Sequence, residues 1–290
     1  MPRHPECPER LTAIMDMLDA SGVAHEMLRF EASEVDTADI ARAHPESLIV
    51  GVRDAEPTMG LTQLDADTYM SPGSHRAARL AAGAAVEATQ RVLAGELSNA
   101  FCVVRPPGHH AEIAEAMGFC LFNNIAIAAL AALEHPMVNR VAILDFDVHH
   151  CNGTVDIFKD NERVLVCSSF QANFYPYRFL DYSNEHIVTT PLPGHADSLA
   201  FRRAVERDWL PALERHKPDL ILVSAGFDAH RDDPLGEIDL EDDDYAWVTG
   251  LITDQARHYS HGRLVSVLEG GYDLAALARC TTLHASRLLG

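Results

Sequence analysis

A chain of 290 residues is long enough to bury a large core, either as one α/β domain or as two smaller ones. Hydrophobic residues make up 47% and charged residues 23%, a globular balance that excludes a disordered chain and a fibrous repeat. With 43 Asp and Glu against 23 Lys and Arg, the formal net charge is -20, which leaves too little positive charge to neutralise nucleic-acid phosphates and favours a cationic partner or plain solubility. No long apolar run and no secretory stretch at the start stand in the sequence, so a cytoplasmic protein without a membrane span is expected. The scattered cysteines Cys7, Cys102, Cys120, Cys151, Cys167 and Cys280 form no CxxC pair and read as reduced thiols.

In chain order, the apolar stripe of Leu11, Ile14, Met15 and Leu18 predicts a helix over residues 9–20, and an Ala-rich helix follows over 73–94. A strand is expected at 99–104, a helix at 124–133, and strands at 140–147 and 163–168. A helix at 199–216, a strand at 219–225, a helix at 242–259 and a strand at 263–269 complete the pattern. The strand runs are rich in Val, Ile and Leu without polar alternation, which suits strands buried on both faces. Their alternation with helices implies the α/β class: a single-domain open parallel β-sheet flanked by helices on both faces, undivided by linker or repeat. Residues 169–184 and 229–240 carry Pro, Asp and aromatics without periodicity and read as long functional loops. In such sheets the active site lies beyond the carboxyl ends of the strands.

Chemistry-bearing residues gather at those ends. The run Val141 to Leu144 leads into Asp145-Phe146-Asp147-Val148-His149-His150, where Asp147 and His149 at alternate positions would offer an oxygen and a nitrogen to one ion. A strand end with solvated side chains is the plainer alternative. Asp228, after the strand ending at Ala225, stands at the matching place as a third ligand, and three protein ligands with one open position define a catalytic zinc site. The tandem His109-His110, in a loop stiffened by Pro106 and Pro107, suits proton transfer near neutral pH. Tyr272, on the turn Gly270-Gly271-Tyr272, would hydrogen-bond a substrate carbonyl as charge develops there.

These residues resemble the histone deacetylase superfamily, which includes zinc deacetylases, acetylpolyamine amidohydrolases and bacterial deacetylase-like proteins. The resemblance rests on His4-Pro5-Glu6 with Pro8-Glu9-Arg10-Leu11, on residues 105–111, on Gly118-Phe119-Cys120-Leu121-Phe122-Asn123-Asn124, and on 145–154, 224–230 and 269–272. It implies an arginase/deacetylase-like fold and a zinc-dependent deacylase (with Fe2+ as the other candidate metal) that hydrolyses acetyl-lysine in a protein or peptide to acetate and a free amine. Acetylated polyamine is the alternative substrate, and a catalytically silent acyl-lysine binder the alternative of another class. An arginase-like hydrolase would need more Asp and His ligands, and the tandem histidines and Gly-Gly-Tyr turn argue against it.

Position by position, the resemblance makes Asp147, His149 and Asp228 the zinc ligands, Tyr272 the carbonyl-polarising residue, and His109 and His110 the catalytic pair with His110 the base. Asp145 would orient His109, and Asn152 would orient His110 as in the class II and bacterial branches. Phe119 and Tyr175 would wall the acyl tunnel, Leu235 would form its rim, Gly118 would supply a backbone carbonyl, and Asp67 would hold the substrate backbone. The family also binds K+, which implies one site from Asp145, Ser168 and the carbonyls of Asp147, His149 and Ser169, and a second from Phe158, Asn161 and Val164. Two departures stand out. Cys151 replaces a glycine, and if φ is positive there its Cβ costs about 1 kcal/mol and displaces Asn152. The chain also begins almost at the His-Pro-Glu motif, where relatives carry an earlier strand, which predicts an incomplete sheet edge or tunnel rim.

Overall fold

The apolar runs that lack polar alternation become the middle of one parallel sheet, as seen in a computed structural model that describes residues 4–290. The helices are α1 (Glu9–Ser21), α2 (Thr37–Ala43), α3 (Glu46–Ala55), α4 (Ser74–Leu93), α5 (Asn124–Ala132), α6 (Asn152–Phe158), α7 (Ser198–His216), α8 (Asp242–Tyr259) and α9 (Leu274–Leu289). The strands are β1 (Thr62–Gln63), β2 (Tyr69–Met70), β3 (Asn99–Cys102), β4 (Val141–Asp145), β5 (Val164–Gln171), β6 (Ile187–Leu192), β7 (Leu220–Ala225) and β8 (Leu264–Leu268). β1 and β2 form a small antiparallel pair, and the other six run parallel in the order β3-β8-β7-β4-β5-β6. β3 and β6 are therefore the sheet edges among the described residues.

Alternation across β4 divides the core into two layers. Val141 and Ile143 face a cluster with α2 to α6, while Ala142 and Leu144 face one with α1 and α7 to α9. Every residue of β4, β7 and β8 is buried, and each Val, Leu or Ile so placed contributes roughly 1.5–3 kcal/mol. The register aligns Asp145 with Ser168 on β5 and with Ser224 on β7, so the neighbouring strands finish at one level.

β3 ends at Cys102 rather than 104, and two further expected boundaries move for local reasons. β4 stops at Asp145 rather than 147, because the Asp147 N–H turns back to the Asp145 carboxylate at 3.0 Å and the His149 N–H to the Asp147 carboxylate at 2.9 Å, two successive Asx turns. β5 runs on to Gln171 because β6 pairs with it, register Val166↔Ile187 to Gln171↔Leu192. β6 itself was absent from the expected strands: Thr189, Thr190 and Pro191 interrupt the apolar signal, and the proline is tolerated on an edge strand. α9 was also unforeseen. It begins at a cap, with the Asp273 side chain accepting from Ala276 N, and buries Leu277, Cys280, His284 and Leu288 on one stripe, an amphipathic pattern that the sequence does carry. No helix among the described residues is long and apolar enough to cross a membrane.

His284 makes the fold sensitive to acid. Its Nδ1 pairs with Thr249 Oγ1 at 2.7 Å and its Nε2 with Ser266 Oγ at 2.8 Å, and burial lowers its pKa to about 3. The unfolded chain binds this proton below about pH 6.5 and the folded one does not, so the stabilisation is complete above that pH and is lost as pH falls towards 3. Between pH 7 and pH 5 the wild type should lose about 2 kcal/mol more than His284→Gln in urea titrations. Equal losses in the two proteins would show that His284 does not stay neutral in the core.

Candidate active site

The loops leaving β4 and β7 bring two carboxylates onto one imidazole. His149 Nδ1 lies 3.1 Å from both Asp147 Oδ1 and Asp228 Oδ2, and one donor atom from each residue falls within 4.8 Å of the others. The remaining oxygens are fixed by backbone: Gly270 N–H donates to Asp147 Oδ2 at 2.8 Å and Val148 N–H to Asp228 Oδ1 at 2.9 Å. A Cβ at Gly226 would strike the Asp147 carboxylate, and one at Gly270 would strike that of Asp228, so both glycines are required by close approach. Burial alone would lower the His149 pKa, yet hydrogen bonds to Asp147 and Asp228 hold it at about 10, a measure of how strongly this place attracts positive charge. Two carboxylate oxygens and one imidazole nitrogen are a donor set that fits Zn2+.

The two histidines of the 108–110 turn stand beside it with ring centroids 4.0 Å apart. His109 Nδ1 pairs with Asp145 Oδ2 at 2.9 Å and His110 Nδ1 with Asn152 Oδ1 at 2.6 Å, the partners the sequence assigned. Their proton affinities diverge. Burial opposes charge on His109, but Asp147, Asp145 and Glu269 outweigh it and hold its pKa well above the ordinary value. Burial, reinforced by His109 and His149, pushes His110 well below. One ring is thereby charged and the other neutral at pH 7.

Charged residues without a role in the sequence reading hold this turn and the Gly-Gly-Tyr turn together. Glu269 Oε2 accepts from Gly108 N at 2.7 Å and His109 N at 3.1 Å, and burial pushes its pKa up to about 7. Arg10, fully buried, donates to the carbonyls of Gly271 and Glu269 and lies 4.9 Å over the Tyr272 ring. Glu6 pairs with both Arg10 and Arg105. Asp233 accepts from Tyr272 N at 2.6 Å and Asp273 N at 3.1 Å. The available signals were the place of Glu6, Arg10 and Glu269 in the motifs quoted above and Arg10 as one cation beside an apolar helical stripe. Burial, with Asp228 and Asp147 nearby, raises the Tyr272 pKa, so the phenol keeps its proton.

A cavity of 420 Å³ leads to this centre, within the size range of small-molecule sites. It is lined by His110, His149 and Tyr272 and by all five residues expected at the tunnel: Asp67, Gly118, Phe119, Tyr175 and Leu235. Phe119 (φ 67) is set by Thr68 Oγ1, which accepts from its N–H at 2.9 Å. Gly118 has φ 56, and a Cβ there would meet the His110 ring; its carbonyl accepts from the Cys120 thiol at 3.2 Å. Tyr175 lies edge-on to His110 at 5.2 Å. Phe174 and Glu237, unforeseen, also line the cavity, and Phe174 stacks on His149 at 5.6 Å.

The strain expected at Cys151 is absent. Its φ is -76° and ψ 61°, an inverse γ-turn closed by Asn152 N–H to His150 O at 2.8 Å and outside the left-handed region that favours glycine, and Asn152 reaches His110 undisturbed. Among the residues expected at K+ sites, Ser169 Oγ lies 3.5 Å from the Asp145 carbonyl, and Ser168 Oγ lies 3.0 Å from His150 Nδ1. Phe158, Asn161 and Val164 share the turn between α6 and β5, where Asn161 N donates to Phe158 O and Val164 N to Asn161 O. A second group of metal-type side chains, His230, Asp242 and Cys280, is already neutralised, with Arg279 Nε 2.7 Å from Asp242 Oδ2.

A parallel sheet whose strand ends carry a two-carboxylate, one-imidazole pocket beside paired histidines defines a metal-type hydrolase site. Comparison with known proteins makes the assignment specific. The histone deacetylase domain matches residues 4–288. The chain is 39% identical over 294 residues to the histone deacetylase-like amidohydrolase of Pseudomonas aeruginosa, a match covering 99% of this chain and 77% of that protein. It is 37% identical over 307 residues to the polyamine deacetylase HDAC10 of Mus musculus, covering 98% of this chain and 45% of the relative. The crystal structure of the HDA15 HD domain superposes with a TM-score of 0.93 at 36% identity, over 99% of this chain and 82% of that one. The chain belongs to the histone deacetylase family, a family of zinc-dependent hydrolytic deacetylases.

Proposed function

We propose that the protein hydrolyses the amide of acetyl-lysine in a protein or peptide, releasing acetate and a free amine, with Asp147, His149 and Asp228 holding zinc. The observation that carries this reading is the convergence of those three donors on one point, beside the paired His109 and His110 and at the base of an aromatic-walled cavity. Bound there, zinc supplies Lewis acidity, which makes a water more acidic and polarises the acyl carbonyl.

The chain's own residues do the rest. His110 donates its Nδ1 proton to Asn152, leaving the other ring nitrogen to take a proton from the attacking water. His109, hydrogen-bonded to Asp145, stands 4.0 Å from His110 between ring centroids, and the proton that His110 takes passes to the departing amine nitrogen. Tyr272 donates its hydroxyl proton in a hydrogen bond to the carbonyl oxygen as negative charge develops. Phe119, Tyr175 and Phe174 exclude water from the acyl chain, while Asp67 and Leu235 meet the substrate at the mouth. K+ bound by Asp145, Ser168 and the carbonyls of Asp147, His149 and Ser169 would stiffen the end of β4, with a second ion at Phe158, Asn161 and Val164.

Acetylated polyamine is the second reading. Two cavity-lining carboxylates, Asp67 and Glu237, and the net charge of -20 suit a small cation, and the murine relative is named for that activity. Free-amine release from a fluorogenic acetyl-lysine peptide and from acetylated polyamines, with zinc content quantified, separates the two. A higher kcat/KM for the peptide supports the first reading, and a higher value for the polyamines replaces it with the second.

A further inference from the structure

The geometry points to Glu112 as a positioning residue that fixes which way the Asn152 amide faces, and so which nitrogen of His110 is free to act as base. The inference rests on His110 having the role proposed above. Asn152 Oδ1 lies 2.6 Å from His110 Nδ1, while Asn152 Nδ2 lies 2.7 Å from Glu112 Oε1. An amide has one accepting and one donating end, and an ionised carboxylate only accepts, so Nδ2 must face Glu112. Its oxygen then faces His110 and demands the proton on Nδ1.

Reversing the amide shows what is at stake. Oδ1 would press against the Glu112 carboxylate, and the NH2 group would donate to His110 Nδ1. The ring proton would then move to Nε2, and the nitrogen that takes the water's proton would no longer have a lone pair. Nδ2 also lies 3.4 Å from His110 O and 3.3 Å from Met117 Sδ, a carbonyl at the long end of the range and a weak sulfur acceptor, so Glu112 is the strongest of the groups that favour this orientation.

Glu112 is itself held. Arg178 Nη1 lies 2.8 Å from Glu112 Oε2 and 2.8 Å from Glu115 Oε2. Arg178 follows Phe174 and Tyr175 in the same loop, so the segment that walls the cavity also anchors the residue that sets the His110 tautomer. At a position occupied by a carboxylate instead of Asn152, no such anchor would be needed, because either oxygen accepts from Nδ1–H.

That last point supplies the test. Steady-state kinetics on zinc-quantified enzyme, with an acetyl-lysine peptide as probe, would compare Glu112→Ala, Glu112→Gln, Asn152→Asp and the double variant Asn152→Asp/Glu112→Ala. Glu112→Ala should lose kcat on the order of tenfold with KM unchanged, and Glu112→Gln, which keeps an acceptor, should restore most of it. Asn152→Asp alone should be impaired, because two carboxylates then face each other, and adding Glu112→Ala should recover its turnover. Unchanged kcat in Glu112→Ala, or a double variant no better than Asn152→Asp, overturns the inference. Should alanine at 112 prevent folding, judged by circular dichroism, Asn152→Asp/Glu112→Gln replaces it in the same comparison with the same recovery expected. His110→Ala run alongside separates the two levels: full activity there refutes the base assignment itself, whereas a dead His110→Ala with indifferent Glu112 variants refutes only the positioning role.

Discussion

Asp228→Ala should abolish both zinc binding and amine release. The carboxylate, itself fully buried, is one of three donors that converge at the base of the cavity, and Asp147 and His149 alone leave the set one ligand short. The truncation also leaves Val148 N–H without its acceptor, a cost of about 1–3 kcal/mol that shortens stability without unfolding an ordinary domain. Folding and chemistry thus separate: circular dichroism should report a native protein, while metal analysis and the amine assay should both read background. Stoichiometric zinc with turnover in this variant would remove Asp228 from the ligand set.

Tyr272→Phe should lower kcat by about 10²–10³ while zinc content stays at wild-type level. The substitution deletes one hydroxyl and leaves the turn intact, because the turn is held through its backbone: Arg10 donates to the Gly271 carbonyl at 2.7 Å and Asp233 accepts from Tyr272 N at 2.6 Å. The phenylalanine ring keeps its edge contact with Phe119, 5.8 Å between centroids, so the cavity wall is preserved too. Near-normal turnover would refute the oxyanion role and leave Tyr272 as wall alone.

Much of this was legible before any coordinates. Val141 to Leu144 and Leu220 to Val223 read as strands buried on both faces because burial on both faces removes polar alternation, and the rule that ligands gather at strand ends led directly to Asp147, His149 and Asp228. The reason given for Asp147 and His149 sharing a face was incomplete, since the chain leaves the strand at Asp145 and two Asx turns, not an extended backbone, bring them together. Short local elements escaped, among them α2, α3 and α6, and so did non-local contacts. Arg10 and Glu269 act across some 260 residues of sequence, and Glu112 matters only through an amide whose orientation no spacing rule encodes. β6 escaped because threonine and proline break its apolar run, whereas α9 carries a clear amphipathic stripe and a capping Asp273 that a fuller reading of the sequence would find. At Cys151 the glycine rule does not apply, because φ is negative there.

The cavity mouth is assembled from segments far apart in the chain, with Asp67, Phe119, Tyr175 and Leu235 each carried by a different loop, whereas the metal-type donors sit on the ends of two adjacent central strands. Reaction and selectivity are therefore written in separable parts of the molecule, except at the loop of Tyr175, whose Arg178 holds Glu112 and whose Phe174 stacks on His149. A loop can be lengthened or recharged without disturbing the register that aligns Asp145 with Ser224, so one hydrolytic engine can be retuned to a new acylated amine by changes at its rim, one segment at a time.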